Sequence, residues 1–153
     1  MGAEERISEL ALALPDPPSP RANYVPAVRS GSLLFLSGHG PYRPDGSMTT
    51  GKVGSDLSLE EGRDAARLVA LNLLATLRRE LGSLDRVARV VKVLGMVNCA
   101  PGFVESPAVI NGCSDLLVDV FGSSVGSHAR SAVGVFELPF NIAVEIEMIC
   151  EVE

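Results

Sequence analysis

The chain has 153 residues, 46% of them hydrophobic and 21% charged, and a net charge of −6. Those figures describe one globular domain with enough core to fold without staples, and they disfavour general nucleic-acid binding, which calls for a basic stripe. Three scattered cysteines, Cys99, Cys113 and Cys150, form neither a disulfide framework nor a zinc site; they read as small buried hydrophobes in a reducing, cytoplasmic setting.

Along the chain, Ile7, Leu10, Ala11 and Leu14 fall at helical spacing and predict a short amphipathic helix over 4–14. It stops at Pro15-Asp16-Pro17-Pro18-Ser19-Pro20, an extended linker. Residues 1–20 are therefore expected to be an appendage on a main domain at 21–153. Acids lead the N-terminus and no apolar h-region follows them, so no signal peptide is expected. No transmembrane span is expected either.

Residues 24–29 and 33–37 are β-like runs around Ser30-Gly31-Ser32, a hairpin signal. Arg43-Pro44-Asp45-Gly46-Ser47 has turn chemistry. Ser58-Leu59-Glu60-Glu61 is a capping box, opening a helix that runs to Leu81 and ends at Gly82. Residues 87–97 are almost continuously apolar or β-branched, as in a central strand covered on both faces. Ser106-Pro107 starts a second long helix, serine as cap, that continues to Gly122.

Two β-rich runs close the chain. The first starts near Arg130 and breaks at Leu138-Pro139. The second alternates: Ile142, Val144, Ile146, Met148, Cys150 and Val152 on one side, Glu145, Glu147, Glu151 and Glu153 on the other. Read as adjacent strands, they would bring Arg130 near a row of carboxylates. Such a pair is either a structural cross-strand ion pair or a site for an anion and a water. An arginine close to Glu145 would keep it ionised.

The order of elements predicts an α+β fold, one sheet backed by two helices on one face. Two helices cannot cover both faces, so the second face is expected to bury itself against further copies of the chain.

Several ordered elements resemble the reactive intermediate deaminase (Rid, or YjgF) family, also called endoribonuclease L-PSP-like. They are Tyr24 with Ala27-Val28 before Leu36-Ser37-Gly38, the strand from Asp85 to Val93, Asn111, Ala129-Arg130-Ser131, Leu138-Pro139 and Val144-Glu145-Ile146-Glu147. The resemblance implies a chorismate-mutase-like fold closed into a homotrimeric barrel, with sites in clefts between subunits. It implies hydrolysis of reactive 2-enamines and 2-imines, 2-aminoacrylate among them, to 2-keto acids and ammonia, without a cofactor or metal. By position, Arg130 would hold the substrate carboxylate and Glu145 would handle the attacking water. Tyr24 and Asn111 would line the pocket, and His128 is a further pocket candidate.

The chain departs from the family pattern at His39, often glutamine, at His128, often proline, and at Ala132, often cysteine. These departures leave a non-catalytic binder of small carboxylates as the alternative. A ribonuclease is disfavoured by the acidity.

Overall fold

The capping box opens the longest helix in the computed structural model, which describes residues 1–17, 19 and 22–153. Helix α2, Leu59–Leu81, starts where Ser58 Oγ accepts from the Glu61 amide at 3.1 Å and the Glu61 carboxylate accepts from the Ser58 amide at 2.8 Å. It ends on Gly82 in the left-handed region. Each end is set by local chemistry, which is why its limits match those read from the sequence.

Helix α1, Ala3–Glu9, is shorter than expected. Ala11 sits at φ 51°, its amide donates to Ser8 O, and the Leu12 amide donates to Ile7 O. This is a Schellman stop with alanine where glycine is usual, so the sequence gives no warning of it. The linker beyond falls partly on Pro18, Pro20 and Arg21, which lie outside the described residues. Helix α1 itself is anchored firmly: the Glu4 carboxylate accepts from Nε and Nη2 of Arg78 and from the Leu84 amide, and the Glu4 amide donates to Asp85.

Strands β1, Ala27–Ser30, and β2, Leu33–His39, form the expected hairpin, with Gly31 left-handed at the turn. Strand β3, Val87–Asn98, follows a short 3-10 turn at Leu84–Arg86. Helix α3, Ser106–Gly126, takes in the expected serine cap as its first residue, with Glu105 at the cap one position earlier and no side-chain bond there. Gly122, at φ 75° and ψ 164°, interrupts the helix at the position where the sequence reading ended it. Strand β4 is Ala129–Val135 and strand β5 is Val144–Val152.

The five strands form one mixed sheet in the order β1-β2-β5-β3-β4. Strands β3 and β4 are parallel, joined across α3, and β5 runs antiparallel between β2 and β3. The last two strands are therefore not neighbours, which corrects the sequence reading. Between them Phe140 and Asn141 both sit at φ 58° and steer the chain over the end of the sheet. Buried Asn98 fixes this crossing by donating to Asn141 Oδ1 and Ile142 O.

Helices α2 and α3 pack side by side on one face of the sheet. Gly112 lets them touch, because a Cβ there would collide with the Arg63 carbonyl of α2. Val109, Ile110, Cys113, Leu116, Leu117 and Val120 of α3 are buried with Val93, Val97, Ile146 and Met148 of the sheet. Helix α3 is long and apolar enough to cross a membrane by composition alone, yet here those residues form the core. On the opposite sheet face, Val28, Phe35 and Val133 are 55%, 41% and 44% exposed, so much of its apolar surface is uncovered in one chain. Strand β3 is thus covered on one face only.

Candidate functional site

The alternation along β5 places Glu145 on the uncovered face, since Val144 and Ile146 point into the core. Glu145 lies against β2, where Gly38 makes room for it: a Cβ at Gly38 would stand 3.0 Å from Glu145 Cδ and 3.2 Å from Oε2. Any larger residue there would displace the carboxylate. The register of β2 against β5 shifts between Leu36 and His39, which turns the strand end around this point.

Around Glu145 opens a cleft of about 590 Å³, whose lining includes Tyr24, Ser37, Gly38, His39, Tyr42 and Phe140. Ser37 ties Tyr24's segment in place, with Oγ donating to Val25 O at 2.7 Å and its amide donating to Pro26 O at 2.9 Å. Tyr24 itself is 52% exposed. His39 is buried, with Nδ1 at 2.6 Å from Ser37 O and Nε2 at 2.8 Å from Thr76 Oγ1. Nδ1 must donate to the carbonyl, so Nε2 accepts from the threonine hydroxyl. Burial, helped by the charge of Arg79, lowers the His39 pKa against the opposing bond to Ser37.

Burial also pushes the Glu145 carboxyl above the ordinary glutamate range, and the neighbouring Glu147 adds to the rise. This reverses the expectation that a nearby arginine keeps Glu145 ionised. The register explains it. Arg130 pairs with Val93 and Val93 with Met148, so Arg130 lies on the helix-covered face; Glu145 pairs with Met96 on the opposite face. Strand β3 also separates them. Arg130 and Glu145 of one chain cannot meet.

Arg130 instead extends over α3. Its Nη1 donates to Asn111 Oδ1 at 2.8 Å and to Ser114 Oγ at 3.1 Å. Ser114 Oγ is 3.0 Å from His128 Nε2, and His128 Nδ1 donates to Gly126 O at 2.6 Å. The chain of bonds therefore runs from Ser114 hydroxyl to His128 Nε2, leaving a Ser114 lone pair for Arg130. Asn111 and Arg130, both pocket candidates by the family resemblance, are thus in direct contact. His128 joins them through Ser114, with both ring nitrogens occupied by protein groups. Ser114 escaped the sequence reading, although it stands three residues after Asn111 and so on the same helix face.

Cys113 and Cys150 are buried and their thiols are pushed up to about 12, so neither is a nucleophile at neutral pH. Among the described residues, no three His, Cys, Asp or Glu side chains gather to hold a metal ion.

The YjgF/chorismate mutase-like family model matches residues 4–152. The chain belongs to this family. Within the YjgF-like family, protein TCP17 of Trypanosoma cruzi is 46% identical over 145 residues, 95% of this chain and 91% of that protein. A 2-iminobutanoate/2-iminopropanoate deaminase of Dermatophagoides farinae is 32% identical over 143 residues, 93% of this chain and 95% of the relative. A solved structure of a protein of unknown function from Agrobacterium tumefaciens superposes with a TM-score of 0.89 at 43% identity, covering 99% of this chain and 94% of that one. The single mixed sheet backed by helices is the YjgF/chorismate-mutase-like fold.

Proposed function

We propose that the protein hydrolyses reactive 2-imines, and the 2-enamines that tautomerise to them, to 2-keto acids and ammonia. One observation carries the reading most: the site is split into two halves. The Glu145 cleft and the Arg130 shelf lie on opposite faces of the same sheet, yet each has what the other lacks. The exposed apolar face of the sheet supports assembly with further copies, a homotrimer by the family resemblance. In that assembly, Arg130 of the partner subunit completes the cleft.

In the proposed reaction the Arg130 guanidinium grips the substrate carboxylate through Nε and Nη2, the latter giving up its long 3.5 Å bond to the Pro107 carbonyl. Water adds to the imine carbon while Glu145 takes one of its protons, and the C=N π electrons move to nitrogen. Protonated Glu145 hands that proton to the nitrogen, giving a neutral carbinolamine; as this collapses, Glu145 takes the hydroxyl proton while C=O forms and delivers it to the nitrogen as the C–N bond breaks, so ammonia leaves and the carboxylate is restored. A carboxyl with a raised pKa suits this exchange, because it holds and releases a proton nearer neutrality. Tyr24 walls the cleft beside the reacting carbon, and Asn111, Ser114 and His128 hold Arg130 in place.

The test generates 2-aminoacrylate in situ with a lyase and follows semicarbazone trapping of the unhydrolysed imine. Wild-type protein is expected to suppress trapping, and Arg130→Ala to leave it unsuppressed. Saturable, Arg130-dependent binding of 2-keto acids without suppression would favour the non-catalytic binder instead.

A further inference from the structure

The cleft is larger than a three-carbon imine needs, and the geometry points to a substrate whose side chain is bulky and apolar, with aromatic 2-imino acids as the best fit. The inference rests on the function proposed above. At about 590 Å³ the cleft falls within the roughly 300–1,000 Å³ of pockets that enclose drug-sized ligands. From Glu145 and Gly38 it continues along the chain past Gly40 to Tyr42 and Pro44. Its apolar walls are Pro15, Pro26, Tyr42, Pro44, Phe140 and Ile142. Gly40 carries no side chain between the Tyr42 ring and Ile142: a Cβ there would meet them at 2.9 and 3.2 Å.

Several polar side chains in the walls are already engaged, while the Tyr24 and Tyr42 hydroxyls and Asn72 Oδ1 make no hydrogen bond among the described residues. Both His39 nitrogens are bonded, and Asn72 Nδ2 donates to Tyr42 O and Leu68 O, each at 2.9 Å. Ser37 Oγ donates to Val25 O, and Arg43 donates to Thr49 Oγ1 at 2.9 Å. A polar substrate side chain would lose its water and find few free donors in exchange. An acidic one would also meet Asp16 and Glu145 in the same cleft, with Arg43 at the exposed rim as the one opposing charge among the described lining residues. What the walls reward is apolar area and ring-to-ring contact.

Calorimetric titration with pyruvate and phenylpyruvate tests the preference independently of turnover. Phenylpyruvate is expected to bind about tenfold more tightly. Tyr42→Leu and Phe140→Ala should each narrow that ratio severalfold, with Tyr42→Leu keeping an apolar filling in case the alanine variant perturbs the fold. Equal affinities, no binding of either acid, or equal losses for both acids in the variants would overturn the inference. A second arm supplies imines from alanine and phenylalanine with an amino-acid oxidase under semicarbazide. Faster hydrolysis of the phenylalanine imine supports the inference. Hydrolysis of the alanine imine alone overturns it and leaves the proposed reaction standing. Tighter phenylpyruvate binding with no hydrolysis of either imine supports the cleft's preference and overturns the reaction.

Discussion

The Arg130 shelf and the Glu145 cleft are built on opposite principles. Arg130 rests on the uncharged side chains of Asn111 and Ser114, with His128 behind Ser114, and no carboxylate is bonded to it among the described residues, so its permanent charge is oriented without being cancelled. Glu145 is half-sunk beside another acid, with Gly38 clearing its path and no cation bonded to its carboxylate among the described residues. The lesson is a division of labour: one half fixes a charge in space, while the other leaves a proton loosely held. Each half is incomplete for chemistry on a small organic anion, which is the reason to look for the two on different copies of the chain.

The comparison breaks most sharply at Glu145. Glu145→Gln keeps the shape and removes the proton acceptor, so kcat/KM in the trapping assay should fall on the order of 100-fold to 10,000-fold. Arg130→Ala should cost on the order of 100-fold to 1,000-fold, much of it in KM. If the halves belong to different subunits, refolding an equal mixture of the two inactive variants should restore about a quarter of wild-type activity. Recovery of none would place both groups in one chain's own site, against the register found here.

The next effect is on pH. Because the Glu145 carboxyl titrates above the ordinary range, the acid limb of kcat/KM should lie above the roughly 4.3 of a free glutamate, with activity rising as pH rises through it. The same shift means the folded state binds the proton more tightly than the unfolded one. Stability is therefore lost as pH rises through the interval, and Glu145→Gln should melt at a higher temperature than wild type at pH 7. A lower melting temperature would show that the carboxylate is stabilised by partners the single chain does not display.

The smallest effect belongs to His39. Its pKa is lowered on folding, so the unfolded state takes up the proton first. Stability should be full above about 6.5 and decline as pH falls below it, and His39→Gln should flatten that decline in denaturant titrations. An unchanged slope would assign the acid sensitivity elsewhere.

Much of this was legible in the sequence because the signals were local. The capping box and Gly82 bound α2, Gly31 marks the hairpin, and the period of two along β5 names its buried face. Strand order was not legible. Nothing in Ala129–Val135 says that it pairs in parallel with β3, and consecutive strands invite a hairpin reading that the observed pairing excludes, because β3 lies between β4 and β5. The site suffered from the same cause. Arg130, Asn111, Tyr24 and Glu145 could be singled out one by one, but their separation into two faces depends on register across three strands. Ser114 was missed because a serine inside a helix carries no signal until its partner is known.

The two ends of the chain come together on a single short turn. The Glu4 amide binds Asp85, while the Glu153 amide binds the Arg86 carbonyl and Arg86 in turn binds Glu153 O. A peptide bridge of a few residues would close the molecule into a ring with its cleft and shelf undisturbed, and new ends could be opened at the exposed Pro101-Gly102 bend. The fold thus accepts a circular permutation, and fusions attached at either terminus would project from one pole, away from Glu145 and its cleft.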